Sequence, residues 1–358
     1  MRMRKNNPRN GFTLLELMVA MALGLLVMAA MASLFKMGMN STMLVTQRAE
    51  QQQNMRAAMD LITKDLSMAG AGLPSGGIQL PAGNGSSASK FGCDQGGICH
   101  VPTHIYPTGN YMYGILPGYL NGVEGSVSVP AAPAPAINDS ITSIYCDYNF
   151  PLNEYSLTAF AANGGSMTLA VNPLYTTNPP PAINGAGGIQ AGDVIMVSNT
   201  AGTEVGEVTN VTATTLTFAN ADPLNLNQSG AATNNLASIS GGANTVLYRL
   251  FVVTYYLTVP GAGQTPRLMR QVNGFSPVPV ADDIINLQFA YDVYNSTSNA
   301  LDANQANPLG MSESPNLIQK INYTVMGQGI ITDGNKAQNM YLATDVSARN
   351  MAFRNRYQ

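Results

Sequence analysis

The apolar positions near the start of the chain predict one very long helix. Residues 12–35 are 24 consecutive positions whose only charge is Glu16. The pattern then becomes amphipathic, which is typical of a helix that packs on one side. The apolar residues at helical spacing are Leu44, Met55, Met59, Ile62 and Leu66, and Arg56, Asp60 and Lys64 form an i, i+4 series of alternating charge.

The ends of this helix are also marked in the sequence. No proline occurs between Pro8 and Pro74, and Met68-Ala69-Gly70 has the form of a glycine stop. We therefore predict a helix over residues 12–68, roughly 85 Å long at about 1.5 Å per residue. Its first half is suited to lipid or to the core of an assembly, and its second half to a head domain.

Downstream, alternating apolar residues and turn residues predict β-strands. The first group covers 140–148, 166–171, 193–198, 204–211 and 214–219, and the last three of these are predicted to form an antiparallel meander. Residues 224–244 are predicted to be a loop. The second group covers 246–259, 267–272, 284–294, 318–326 and 340–347, with a hairpin break at 260–263. The predicted fold class is α+β: a long N-terminal helix packed on a large antiparallel head. The head is divided into a loop-rich insertion (75–240) and a sheet part (245–358), with a stiff Pro-rich connector at 130–135.

Composition favours an exported β-rich protein. Hydrophobic residues make up 45% of the chain but charged residues only 10%, far below the usual quarter. Four basic residues precede the apolar segment: Arg2, Arg4, Lys5 and Arg9. Without them, 13 basic residues face 20 acidic ones, a net charge of −7. That balance argues against a nucleic-acid binder.

The apolar segment has three interpretations. It is long enough to span a bilayer, and the basic residues before it predict a cytoplasmic N-terminus with the rest of the chain on the far side. A plain membrane anchor leaves Glu16 unexplained. A cleaved secretory signal is the second interpretation, because Ala30-Met31-Ala32 has the A-x-A form of a cleavage site.

The third interpretation accounts for every feature. Gly11-Phe12-Thr13-Leu14-Leu15-Glu16, behind a short basic leader, resembles the type IV prepilin signal G-F-[ST]-L-x-E. The resemblance implies that a membrane prepilin peptidase and N-methyltransferase removes residues 1–11 by cutting after Gly11 and methylates the new amino terminus at Phe12. The helix over residues 12–70 is then kept, with its transmembrane or filament-core part at 12–35.

Glu16 has a physical reason to be in this segment. A carboxylate at the bilayer centre costs about 2.5–3.5 kcal/mol on insertion scales. The freed amine of Phe12 in an incoming subunit can neutralise Glu16 of a neighbour as both leave the lipid. A pair of this kind specifies register more than it adds stability. We expect Leu14, Leu15 and Leu17 to contribute to the same assembly surface.

A second resemblance concerns the head. Residues 248–257, 267–274 and 281–291 resemble the head of PilW-type minor pilins and of the related J-type pseudopilins of type II secretion, and 345–350 resemble the closing strand of that group. This implies a low-copy subunit that primes or caps a filament. Its expected partners are other pilins, through the N-terminal helix, and an inner-membrane assembly platform. The head is expected on the periplasmic side, and later in a pilus at the cell surface.

Other chemistry is weakly supported. Cys93 and Cys99 can bridge a small loop in an oxidising compartment, and Cys146 is expected to be a buried thiol. His100 and His104 with these cysteines would make a zinc site, but the intervening Pro102 disfavours the helix that such spacing prefers. An EF-hand-like run from Asp302 to Glu313 has Asn307 where glycine is required. Asp282 and Asp283 are expected in a solvated turn, and Arg349, Arg354 and Arg356 in a solvated tail. No enzyme, metal, cofactor or nucleic acid is predicted.

Several alternatives stay open from the sequence. One rival is a signal-cleaved secreted adhesin or carbohydrate-binding protein, and another is an anchored hydrolase. A DNA-uptake pilin shares the assembly mechanism and differs in ligand. The sequence does not separate a pilus subunit from a secretion pseudopilin.

Overall fold

A computed structural model describes residues 11–81, 88–101, 111–124, 138–231, 233–261, 264–308, 314–329 and 339–351. The first element is helix α1, Leu14–Met68, which is 55 residues long. This confirms the predicted helix except for its first two residues, which precede the helical turns. The chain divides into two compact units, Met1–Gln51 and Gln52–Gln358.

The helix ends at the predicted glycine stop. Gly70 has φ +78°, the left-handed conformation that ends helices and that glycine adopts without strain. Its backbone nitrogen donates to the carbonyl oxygen of Ile144 at 2.8 Å. A Cβ added to Gly114 would lie 2.6 Å from the Cα of Gly70. The chain therefore leaves the helix through a close backbone contact that needs glycine on both sides.

Within the described residues, the head contains seventeen strands. In chain order they are β1 Ile78–Gln79, β2 Tyr111–Met112, β3 Ile115–Gly118, β4 Ser140–Asp147, β5 Tyr155–Phe160, β6 Ser166–Val171, β7 Val194–Asn199, β8 Gly202–Glu207, β9 Asn210–Val211, β10 Thr215–Thr217, β11 Val246–Thr258, β12 Arg267–Val272, β13 Val278–Asp282, β14 Ile284–Asn295, β15 Ala300–Gln305, β16 Ile318–Gln328 and β17 Asn339–Ser347. All their ladder pairings are antiparallel, so the α+β architecture predicted from the sequence is confirmed.

Strand β11 organises a seven-stranded sheet of order β13-β12-β11-β4-β3, to which β7 and β8 are added. One edge of β11 pairs with β4, and the other pairs with β7 over the first residues and with β12 over the last. The predicted hairpin between β11 and β12 is confirmed. The strands of the loop-rich region and of the C-terminal region thus share one sheet.

The remaining strands form two four-stranded sheets, β15-β14-β16-β17 and β5-β6-β10-β9, and a β1-β2 pair. Both antiparallel pairings of the meander predicted over residues 193–219 are present, β7 with β8 and β9 with β10. The prediction of one continuous meander is wrong, because its middle strand breaks in two. The backbone nitrogen of Val208 still donates to the carbonyl oxygen of Asp193 beside β7, but that of Thr209 donates to the carbonyl oxygen of Thr217 in β10. The halves β8 and β9 therefore belong to different sheets. The predicted loop at 224–244 contains a 3-10 turn, Leu236–Ile239.

The second half of α1 packs on the head through the apolar face that the sequence predicted. Met55, Met59, Ile62 and Leu66 are buried in one core with residues of β4, β11, β14 and β16. Burying four such side chains contributes about 6–12 kcal/mol at roughly 1.5–3 kcal/mol each. The charged series Arg56, Asp60 and Lys64 lies on the exposed face. Two further cores lie under residues 73–101 and within the β5–β10 region.

Candidate functional site

The helix begins with a capping box. Thr13 precedes the first helical residue, and its backbone nitrogen and hydroxyl both donate to one carboxylate oxygen of Glu16 at 3.0 Å. The backbone nitrogen of Glu16 donates back to the Thr13 hydroxyl at 3.3 Å. These bonds satisfy backbone donors that a helix start leaves unpaired. The Glu16 carboxylate thus already has a role in its own helix before any second chain is considered.

The first half of the helix is apolar around its whole circumference. One window of 18 residues has a mean hydropathy of 2.4, and none of it is buried within the protein. Leu14, Leu15 and Leu17 are exposed, as is Phe12, at 88% of its surface. A helix that is apolar on all sides is suited to lipid or to the interior of a helix bundle. By length and composition this helix can cross a membrane.

A match to a known family covers this same segment. Residues 6–32 match the family model described as the prokaryotic N-terminal methylation motif. This motif is typical of type IV prepilin-like proteins. The chain carries a type IV prepilin-like N-terminus. No curated protein and no solved structure matches the chain.

The match confirms the prepilin resemblance drawn from Gly11 to Glu16. It covers the cleavage position, Phe12 and most of the apolar run, and it ends before the amphipathic half of the helix. Cleavage after Gly11 and methylation of Phe12 stay predictions for this prepilin-like chain. The head is outside the matched residues.

The most heavily bonded acid of the helix is not among the residues predicted from the sequence. Asp65 is 2% exposed and accepts from the hydroxyl of Tyr145 at 2.8 Å, the hydroxyl of Tyr255 at 2.5 Å and Nε of Arg270 at 2.8 Å. Burial, and next the negative charge of Asp65, raise the pKa of both tyrosines well above its usual range, so both hydroxyls remain donors. One helical side chain thus binds β4, β11 and β12.

A signal for Asp65 was present in the helical spacing. It lies three residues after Ile62 and directly before Leu66, on the face that the apolar residues define. An acid on that face must either be buried or interrupt the packing. What the spacing does not give is the partner, because Arg270 is 205 residues away in sequence.

The head segments for which the sequence predicts a PilW-type resemblance contain mainly architectural residues. Arg249 of β11 binds Asp147 through Nη2 at 2.5 Å and lies 3.8 Å from Asp193. In the next segment Arg270 binds Asp65, and the Asn273 side chain accepts from the Val252 backbone nitrogen at 2.8 Å.

Asp282 and Asp283, which the sequence predicts in a solvated turn, are at the end of this region. Asp282 is exposed and pairs with Arg267 at 2.6 Å, and Asp283 follows with φ +61°. The head segments of the PilW-type resemblance therefore contain residues that stabilise strand pairing and the docking of the helix.

The three cysteines contribute to one hydrophobic core. Cys93 and Cys99 form a disulfide that closes a loop, residues 93–99, and Cys146 is a buried thiol in β4. Cysteines in a disulfide do not supply the thiolates that zinc requires. No group of three or more His, Cys, Asp or Glu side chains within the described ranges could hold a metal ion.

The other motif residues take varied positions. Asp302 and Asn304 lie in strand β15 rather than in a calcium-binding loop, and Asp302 accepts from the Asn295 amide at 2.9 Å. Arg349 is exposed after β17. His104, Glu313, Arg354 and Arg356 lie outside the described residues, as do Arg2, Arg4, Lys5 and Arg9 of the leader.

Two buried carboxyl groups in β8 have pKa values well above the ordinary range of glutamic acid. Burial raises the pKa of Glu204 to about 8, and one of its carboxyl oxygens has no hydrogen-bond partner among the described residues. Burial, and then a hydrogen bond with Asp222, raise the pKa of Glu207 to about 9. Glu207 also accepts from the side chain of Gln95 in the disulfide loop. Both glutamic acids are thus neutral over most of the physiological pH range.

Proposed function

We propose that this chain is a minor pilin or pseudopilin, a non-enzymatic subunit that primes or caps a type IV pilus-like filament. The observation that carries the proposal is the methylation motif at residues 6–32, set on a helix whose exposed apolar half contains one acid. The chain is held in the inner membrane by that helix, with the head on the periplasmic side. It then leaves the bilayer to join other pilins through an inner-membrane assembly platform.

Processing supplies the charge that Glu16 needs. The capping box satisfies the Glu16 carboxylate partly through neutral donors, Thr13 N–H and O–H, but a charge in lipid remains costly. Cutting after Gly11 creates a cationic amine at Phe12. In a filament this amine, supplied by an adjoining subunit, neutralises Glu16 while Leu14, Leu15 and Leu17 pack against neighbouring helices. The pair selects one axial register.

The PilW-type resemblance favours a low-copy role. The head and the end of α1 form one compact unit, Gln52–Gln358, with extensive cores. The residues of the PilW-type resemblance are used for architecture. A bulk subunit would have to accommodate such a head at every filament position. A subunit that begins or ends the filament has fewer neighbours to accommodate.

Mass analysis of the mature amino terminus tests the processing step. Full-length protein is isolated from membranes with and without the prepilin peptidase. A mature chain beginning at methylated Phe12, and an uncut chain when the peptidase is absent, support the proposal. A mature chain beginning at Ser33 would instead support the secreted rival, in which Ala30-Met31-Ala32 is a signal cleavage site.

Substitution of Glu16 tests the assembly step. Glu16→Val removes the carboxylate and the cap, whereas Glu16→Gln keeps an acceptor for Thr13 and loses only the charge. We expect both variants to insert in the membrane and to be cleaved, with recovery in sheared filaments reduced at least tenfold. Lys36→Gln, at the end of the apolar run, is a matched control with near-normal recovery. Unchanged incorporation of Glu16→Gln would contradict the charge-pair mechanism.

A further inference from the structure

His100 lies between two carboxylates. Its Nε2 is 3.0 Å from Oδ2 of Asp94, in the disulfide loop, and its Nδ1 is 2.5 Å from Oε1 of Glu124. The imidazole also stacks on the ring of Tyr256 at a centroid distance of 5.8 Å. The side chains of His100 and Asp94 are only 8% and 11% exposed, and that of Glu124 is 31% exposed.

The two contacts make different demands on the neutral and cationic forms of the ring. A neutral imidazole has one N–H donor and one lone pair, so it can donate to only one of two carboxylates. The second contact would then set a lone pair against a carboxylate oxygen. Only the doubly protonated, cationic ring can donate to both carboxylates through its opposite nitrogens. Histidine is also the side chain that ordinarily changes charge between about pH 5 and 8.

The cation joins three separate parts of the head. Asp94 accepts from the backbone nitrogens of Gly96 and Ile98 inside the disulfide loop. Glu124 donates its backbone nitrogen to Leu257 of β11 at 2.8 Å, and its second carboxylate oxygen accepts from Thr258 at 2.5 Å. His100 therefore holds the disulfide loop to residues 123–124 and to β11.

An alternative donor lies in the same cluster. The Tyr256 hydroxyl is buried and has no hydrogen-bond partner among the described residues. Burial, followed by the charges of Glu124 and Asp94, raises the pKa of Tyr256 well above its usual range, so the hydroxyl keeps its proton. A buried donor without a partner is costly, by about 1–3 kcal/mol in general. It would gain a bond by donating to a carboxylate oxygen that His100 releases.

We propose that His100 is a charge-dependent latch: its cationic form clamps the disulfide loop to residues 123–124, and loss of one proton passes one carboxylate to the Tyr256 hydroxyl and loosens the loop. The latch is closed where His100 is charged and both carboxylates are ionised, and it opens as pH rises. On the other side of the loop, Gln95 contacts the protonated Glu207–Asp222 pair. Those two groups therefore have to be controlled for in any pH experiment.

Hydrogen exchange measured by mass spectrometry on the full-length protein in detergent tests the latch. Protection of peptides covering residues 91–101, corrected for intrinsic exchange, is compared at pH 5.5, 6.5, 7.5 and 8.5. In wild type we expect protection to fall at least fivefold across this series. In His100→Gln, which has no cationic form, it should be low and independent of pH. Tyr256→Phe should show a larger loss of protection at high pH than wild type, because the alternative donor is absent.

Matched variants separate the latch from other titrations. His104→Gln controls for the second histidine, and Glu207→Gln controls for the neighbouring acid pair; both should retain the wild-type pH dependence. Protection in β14 and β16 peptides reports whether the head is still folded in each variant. The proposal is overturned if wild-type protection of residues 91–101 does not change with pH, or if His100→Gln keeps the wild-type slope.

Discussion

Asp65 offers the sharpest test of how the helix is held on the head. Replacing it with alanine removes the acceptor shared by Tyr145, Tyr255 and Arg270. The charge of Arg270 then stays in place with a side chain that is 21% exposed. Two tyrosine hydroxyls also lose their acceptor in a buried site.

The expected magnitude follows from these contacts. Removing one partner of a buried ion pair destabilises by about 3–5 kcal/mol. The partial exposure of Arg270 allows some rehydration, so the lower end, about 3 kcal/mol, is the better expectation for the pair. The stranded hydroxyls add to the loss, since an unsatisfied buried donor costs about 1–3 kcal/mol. Because whole domains are stable by only about 5–15 kcal/mol, Asp65→Ala should remove a large share of the stability of the head.

Urea unfolding of the full-length protein in detergent measures this loss. The chain has no tryptophan and 16 tyrosines, so near-UV circular dichroism of tyrosine is the suitable signal. Asp60→Ala lies on the exposed face of the same helix and is the matched control, expected within about 0.5 kcal/mol of wild type. Asp65→Asn keeps an acceptor for one tyrosine and should lose less than Asp65→Ala.

A double replacement separates the net contribution of the Asp65–Arg270 ion pair to stability from the destabilisation caused by removing one partner alone. Asp65→Leu combined with Arg270→Met substitutes apolar groups for both charges, and this should recover part of the stability lost in either single variant. The reasoning is refuted if Asp65→Ala unfolds at the same urea concentration as Asp60→Ala. In that case the helix would be held by apolar packing alone.

Three further outcomes are expected. Wild-type stability should fall as pH rises from about 5 to about 8, because Glu204 keeps its proton in the folded head while the unfolded chain releases it at an ordinary carboxyl pKa. Glu204→Gln should reduce this fall by at most about 1.4 kcal/mol per pH unit, measured by urea midpoints at pH 5 and 8, and equal slopes in the two proteins would contradict the assignment. Thr13→Val removes the cap hydroxyl that bonds Glu16, so it should lower the helicity at the amino end of a peptide of residues 12–35 in detergent. Backbone amide exchange measures this loss, and Thr13→Ser, which keeps the hydroxyl, should not show it. Gly114→Ala places a methyl 2.5 Å from a backbone nitrogen and should destabilise the head by more than about 2 kcal/mol, whereas Gly76→Ala, which meets open space, should be near neutral.

Local signals in the sequence determined the N-terminal part of this protein. The run of apolar residues, the missing prolines and the glycine stop are short-range features, and they gave the helix to within two residues of its observed start. The motif from Gly11 to Glu16 is also local, and the family comparison confirmed it. Most single strands were predicted for the same reason: alternation and turn residues act over fewer than ten positions.

Only the tertiary structure decided which strands pair and which polar residues are buried. Nothing within residues 204–211 indicates that Val208 faces β7 while Thr209 faces β10. The partner of Asp65 and the two carboxylates around His100 likewise come from distant parts of the chain. Pairing of this kind depends on the packing of whole sheets and on the desolvation it imposes on each polar group. A short window of sequence contains neither, because both are properties of the folded head.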